Sequence, residues 1–172
     1  MPVIKLETQI VAPIERVFDL ARSIDAHMAS TTGTHERAVA GRTSGLIEDG
    51  ETVTWEASHF GIKQRLSVRV TKFDRPYMFG DEMISGAFSS MYHTHKFSPS
   101  GDGTLMKDEF HFTAPFGILG RFAEGLFLTG YMTKFLAKRA AQLKTMAESE
   151  AWRNYLKNSG EQASAGNPLP AE

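Results

Sequence analysis

The chain has 172 residues, enough to bury one substantial hydrophobic core, and its length does not require a second domain. Its 19 Lys and Arg residues nearly balance 20 Asp and Glu residues, and a formal charge of -1 argues against nucleic acid as a partner. The sequence contains no cysteine, which excludes disulfides, thiolate metal sites and a cysteine nucleophile.

The N-terminal segment 3–11 alternates between two sets of side chains and carries Lys5 and Glu7. This period of two predicts a half-buried strand, and it differs from the uninterrupted apolar core of a secretory signal. No later stretch approaches the roughly 20 apolar residues that a membrane-spanning helix needs. We therefore predict a cytoplasmic protein without an integral membrane segment.

Two short helices are predicted after this strand. Residues 13–21 carry apolar side chains at helical spacing, and Pro13 suits a first helical turn because its missing N–H would have no partner there. Residues 23–30 predict a second short helix, capped by Ser23 or Asp25. The polar run that follows predicts a loop.

Six β-like segments come next, separated by connections too short for crossover helices. The segments cover residues 35–47, 51–60, 62–73, 77–85, 88–98 and 104–113. The connections are rich in Gly, Asp and Pro, which suit tight turns. Short connections join antiparallel neighbours, so this pattern predicts a meander with one dry face and one solvated face.

The pattern changes after residue 115. Apolar residues recur at three- and four-residue spacing over 116–147, which predicts one long helix with a broad buried face. The predicted fold class is α+β, with a curved antiparallel sheet of about seven strands wrapped around this helix and an apolar cavity between them. We predict a single domain over residues 1–155 and a flexible tail over 156–172.

Hairpin parity predicts which side chains face inward, because residues opposite each other in an antiparallel pair lie on the same face. A turn at 60–61 sets Trp55 opposite Leu66 on the apolar face. A turn centred on 101–102 places two imidazoles and a carboxylate among apolar side chains on the inner face: Met91, His93, His95, Phe97, Met106, Asp108, Phe110 and Phe112.

The order of elements resembles that of the helix-grip proteins, the SRPBCC or START-like superfamily that includes the Bet v 1 allergens. More local likenesses lie in the segments 12–18, 75–76, 93–97 and 108–117. They are similar to the bacterial polyketide cyclase/dehydrase-like branch, in which a His-x-His strand and a following Asp strand recur. The resemblance covers residues 2 to about 150. It implies a START/Bet v 1-like helix-grip fold with a cavity, and it does not name a reaction.

Three functions are compatible with this pattern. The first is binding of a small hydrophobic ligand, either lipid, quinone or polyketide-like, in the cavity between sheet and helix. Methionine and aromatic side chains suit such a lining. The polar contacts would be His93, His95 and Asp108. The apolar contacts would be Trp55, Met91, Phe97, Phe110, Phe112, Met132 and Phe135.

The second function is that of a cyclase or dehydratase, a lyase in which Asp108 orients His95 as a general acid or base. No nucleophile motif or phosphate-binding loop accompanies the pair, so a binding protein is preferred to an enzyme. The third function is that of a protein-interaction module, with an unknown protein partner.

Two other features have simpler interpretations. His93, His95 and Asp108 also match a metal-ligand set, but we prefer a buried hydrogen-bonded pair and predict neither a metal nor another cofactor. Two glycines in 116–122 would allow a gate at the cavity mouth, and an ordinary connection between strand and helix is preferred.

Overall fold

A computed structural model describes residues 2–114 and 127–156 of the chain. The predicted connection 116–122, the start of the predicted long helix and residues 157–172 of the predicted tail lie outside the described residues. The positions of the two short helices and the general order of strands and helices agree with the expectations from the sequence.

Short connections join the strands. Within the described residues, the helices lie near the two ends of the chain. In chain order the elements are β1 Val3–Ile10, α1 Ile14–Ala21, α2 Ile24–Ser30, a 3-10 turn Thr32–Thr34, β2 Arg37–Gly41, β3 Thr52–His59, β4 Ile62–Asp74, β5 Met78–Ser85, β6 Ser90–Ser100, β7 Gly103–Thr113, α3 Thr129–Glu148, a 3-10 turn Glu150–Trp152 and α4 Arg153–Leu156.

The seven strands form one antiparallel sheet in the order β1-β7-β6-β5-β4-β3-β2. The six strands after the short helices form a continuous meander, and β1 extends it by pairing with the last strand. Helix α3 packs against β1, α1 and α2. The predicted fold, a curved sheet closed by a long C-terminal helix, is confirmed.

The strand predicted over 35–47 is too long, because β2 ends at Gly41. The Arg42 amide still donates to the Thr52 carbonyl of β3 at 2.8 Å, but the segment beyond it makes backbone hydrogen bonds near the start of α2. The Ile24 amide donates to the Gly45 carbonyl at 2.9 Å, and the Gly45 amide donates to Asp25 Oδ2 at 2.8 Å. Ser23 caps α2 through its side chain, which leaves Asp25 free to hold this loop.

The predicted hairpin registers are confirmed. Trp55 lies opposite Leu66 across β3 and β4, and His95 lies opposite Asp108 across β6 and β7. His93, His95 and Asp108 are all buried. The inner face of the sheet therefore contains the predicted polar group.

Phe18 of α1 fills one part of the space above the sheet. Its ring meets Phe73, Phe79 and Phe97 edge-on, with centroids 5.4–5.5 Å apart. Such edge-to-face contacts contribute about 0.5–1.5 kcal/mol each beyond area burial. The sheet is therefore tightly packed beneath α1, and the space that remains lies between the sheet and α3.

Candidate functional site

A cavity of about 280 Å³ lies between the sheet and α3. This volume is near the lower end of the roughly 300–1,000 Å³ typical of small-molecule sites. Most of its wall is apolar or aromatic: Trp55, Ala57, Leu66, Val68, Phe88, Met91, Phe110, Leu128, Met132, Phe135 and Leu136. The cavity therefore suits a small hydrophobic molecule.

The cavity approaches the protein surface where the β3–β4 turn meets the beginning of α3. His59 Nδ1 and the Tyr131 hydroxyl are 2.7 Å apart and hydrogen bond across this junction. Next to them, the ring centroids of Phe60 and Phe127 are 5.2 Å apart, and both side chains are exposed. These contacts position the start of α3 over the sheet.

Another part of the wall is a group of titratable side chains that we call the polar corner: His27, Glu36, Asp81, His93 and Arg139. They come from α2, the segment before β2, strands β5 and β6, and α3. The charge of Arg139 acts on the pKa values of the other four, so the groups are electrostatically coupled. One region of a mostly apolar cavity is therefore strongly polar.

His95 and Asp108 lie behind His93, on a much smaller space of about 10 Å³. Asp108 Oδ1 accepts hydrogen bonds from His95 Nδ1 at 2.6 Å and from His93 Nε2 at 3.2 Å. On its other side, His95 Nε2 lies 3.3 Å from Asp81 Oδ2. His95 is thus held between two carboxylates, one of which faces the larger cavity.

These contacts determine the protonation of the group. Burial lowers the pKa of a histidine, but hydrogen bonds to Asp108 and Asp81 outweigh it and raise the pKa of His95. Burial and the neighbouring His95 lower the pKa of His93 to about 4. Burial would raise the pKa of Asp108, yet the hydrogen bonds from both imidazoles hold it below its usual range. His93 is therefore neutral and Asp108 ionised at neutral pH.

His27 and Glu36 are partly buried in the polar corner, and one polar atom of each is buried without a hydrogen-bond partner. His27 Nε2 and Glu36 Oε2 are 3.2 Å apart, but neither makes a well-oriented hydrogen bond to a described residue. The His27 ring stacks on Trp55, with centroids 3.9 Å apart and planes 14° from parallel. Trp55 therefore contacts the polar corner and is also part of the apolar wall of the cavity.

We expect His27 to make the fold less stable in mild acid. Burial and the charge of Arg139 lower its pKa, while Glu36 and Asp81 oppose them only in part. Since the unfolded chain takes up this proton near pH 6.5, stability is fully present above that pH and is lost as the pH falls below it. Urea unfolding at about pH 7.5 and about pH 5.5 measures the loss.

The His27→Gln variant should lose less stability between the two pH values than the unmodified chain. Glutamine keeps a polar side chain at the position but does not titrate. Equal losses in the two proteins would contradict the assignment to His27.

The structure places six of the predicted ligand contacts on the cavity wall: Trp55, Met91, His93, Phe110, Met132 and Phe135. His95 and Asp108 lie one layer behind it. Phe97 packs against Phe18 beneath α1, and Phe112 is fully buried against Phe88 and Phe110. Both face inward as expected, but they lie at positions where the core is filled.

Four residues of the polar corner were not predicted from the sequence: His27, Glu36, Asp81 and Arg139. Asp81 had a usable signal, because it lies two residues before the apolar Met83, which packs against the core, and strand parity puts both on one side. A charged residue such as Arg139 is expected on the solvated face of a long amphipathic helix, yet it lines the cavity. The rotation of α3 about its axis, which decides this, depends on tertiary packing.

The fold and the cavity define the chain as a helix-grip protein of the START and Bet v 1-like class. A family model described as polyketide cyclase/dehydrase and lipid transport matches residues 1–148. The chain therefore belongs to this family, within the SRPBCC superfamily. A search of curated proteins finds no match.

Solved structures support the same fold at low sequence identity. A crystal structure of a protein from Thermus thermophilus matches with a TM-score of 0.70 and 21% identity, covering 85% of this chain and 97% of that one. A START superfamily protein from Mycobacterium smegmatis matches with a TM-score of 0.64 and 15% identity, over 85% and 97% of the two chains.

A plant protein is also similar. The major latex-like protein 151 of Panax ginseng matches with a TM-score of 0.63 and 13% identity, covering 85% of this chain and 97% of that one. Family and fold together indicate a protein that binds hydrophobic ligands. No helix within 2–114 or 127–156 combines the length and apolarity needed to cross a membrane.

Proposed function

We propose that the chain binds a small hydrophobic molecule, of lipid, quinone or polyketide-like character, with an oxygen-bearing end in the polar corner. The observation that carries this proposal is the cavity of about 280 Å³, which is apolar over most of its wall and polar in one region. An apolar pocket with a few convergent polar groups is the usual form of a small-molecule site.

The polar corner supports an oxygen-bearing end for two reasons. Burying a polar atom without a hydrogen bond costs about 1–3 kcal/mol, and His27 Nε2 and Glu36 Oε2 are both in this condition. Arg139 lines the same cavity and makes no hydrogen bond or ion pair within the part of the chain that the structure describes. A ligand hydroxyl donating to Glu36 and a ligand oxygen accepting from Arg139 would satisfy these two side chains.

Trp55 offers a direct test, because it lies in the cavity wall and the chain has only two tryptophans. The other, Trp152, does not line the cavity, and its ring stacks against Arg16 and Arg153. The Trp152→Phe variant therefore makes Trp55 the sole tryptophan reporter. We expect 1,4-naphthoquinone, palmitate or a hydroxylated anthraquinone to change its emission saturably. Unchanged emission with all three probes would contradict the proposal.

A second candidate is a cyclase or dehydratase reaction that uses His95 with Asp108. The observation in its favour is the 2.6 Å hydrogen bond from His95 Nδ1 to Asp108, which fixes the ring and tunes its basicity. His95 would exchange a proton with the cavity through Asp81, which faces both. Turnover of a hydroxylated aromatic ketone that survives both His95→Gln and Asp108→Asn would exclude this role.

A further inference from the structure

We propose that Asp81, His93 and His95 form a site for a divalent transition-metal ion, with Zn²⁺ as the first candidate. Each residue offers one ligand atom, and the three atoms all lie within 4.8 Å of one another. His95 Nε2 and Asp81 Oδ2 are 3.3 Å apart. Two ligands about 2.0–2.1 Å from a tetrahedral ion have about this separation.

The carboxylate in this set differs from the one that the sequence pattern suggested. Asp108 stands behind the two imidazoles, where Oδ1 accepts from His95 Nδ1 and His93 Nε2. Its hydrogen bond to His95 Nδ1 leaves Nε2 of that ring, the atom that lies 3.3 Å from Asp81 Oδ2, available as a ligand. Metal-binding histidines usually donate their second N–H to a carboxylate in this way, which fixes both tautomer and orientation.

Charge balance also favours a divalent ion. Three largely buried carboxylates, Glu36, Asp81 and Asp108, lie in or directly behind the polar corner. Arg139 is the one permanently charged cation among the described side chains of that corner. Buried charge needs compensation, and a divalent ion brings the formal charges of these three carboxylates and Arg139 to a sum of zero.

The site would open towards the ligand cavity. Asp81 and His93 both line the cavity, so an ion held by them and His95 would be reachable from it. Three protein ligands leave one coordination position free, as in zinc sites where water or substrate occupies the fourth place. The inference does not require the proposed ligand, because all three metal ligands come from the protein.

The test is a titration of the EDTA-treated full chain with Co²⁺, followed by visible absorbance, and with Zn²⁺, followed by calorimetry. We expect one ion per chain and a cobalt spectrum typical of tetrahedral coordination. Asp81→Asn and His93→Gln should each weaken metal binding at least tenfold. Even the loss of a residue that only hydrogen bonds to a metal ligand lowers metal affinity about 10–100-fold. The control His111→Gln changes a histidine outside this group, on β7, and should leave affinity unchanged.

Absence of stoichiometric binding by the unmodified chain would overturn the proposal. So would equal affinity in the unmodified chain and in Asp81→Asn, or an equal loss in His111→Gln. Circular dichroism checks that each variant is folded. If Asp81→Asn does not fold, the comparison is made with His93→Gln. The Trp55 emission assay on the EDTA-treated chain separates the metal proposal from the ligand proposal. A saturable change in emission that persists without metal shows that the hydrophobic ligand binds independently of the ion.

Discussion

The Ala57→Phe variant should bind hydrophobic ligands roughly 60-fold more weakly than the unmodified chain. Ala57 is buried in β3 and lines the cavity, so a phenyl ring at this position occupies space that a ligand would use. Displacing about three ligand methylene groups, at about 0.8 kcal/mol each, costs about 2.4 kcal/mol of binding free energy. Titration of Trp55 emission in the Trp152→Phe background measures the affinity for whichever probe binds best.

Ala40→Phe is the matched control, because it makes the same change at an exposed position on β2, away from the cavity wall. We expect its affinity to equal that of the unmodified chain. Similar affinities in Ala57→Phe and Ala40→Phe, with both proteins folded, would mean that the ligand binds elsewhere.

The Asp108→Ala variant should lose about 3–5 kcal/mol of unfolding free energy, the usual cost of removing one partner of a buried charge pair. Asp108 is 7% exposed and is hydrogen bonded to both His93 and His95. Its removal leaves two buried imidazoles without this acceptor. For a domain of this size the loss lowers the melting temperature by about 10 °C, which urea and thermal unfolding can confirm independently.

Asp102→Ala provides the comparison, since Asp102 is an exposed carboxylate in the turn that joins β6 to β7. Its effect should stay within about 0.5 kcal/mol. If Asp108→Ala were as mild as Asp102→Ala, the hydrogen bonds to the two histidines would contribute little to the fold.

Strand patterns predicted the inner face of the sheet well. The period of two and the position of the turns are local properties, so the sequence alone was enough to place His93, His95 and Asp108 together. Parity assigns a face and not a position along the sheet. It therefore could not separate Phe110, which lines the cavity, from Phe97, which α1 covers with Phe18.

The remaining part of the candidate site depends on tertiary packing. Glu36 belongs to the segment before β2, whose path is set by contacts with other elements. Arg139 points to the cavity because of the rotation of α3, and its sequence neighbour Lys138 is exposed. An alternating or heptad pattern does not contain the path of the segment before β2 or the rotation of α3. The sequence therefore could not predict the polar corner, which depends on tertiary packing.

Native mass spectrometry of freshly purified chain, beside Ala57→Phe and Asp81→Asn, tests the central claim most directly. We predict that the unmodified chain carries a small hydrophobic molecule, that Ala57→Phe does not, and that Asp81→Asn loses a metal-sized mass. Extraction then identifies the bound molecule. An unmodified chain without such a molecule, or equal occupancy in the unmodified chain and Ala57→Phe, would contradict binding in this cavity.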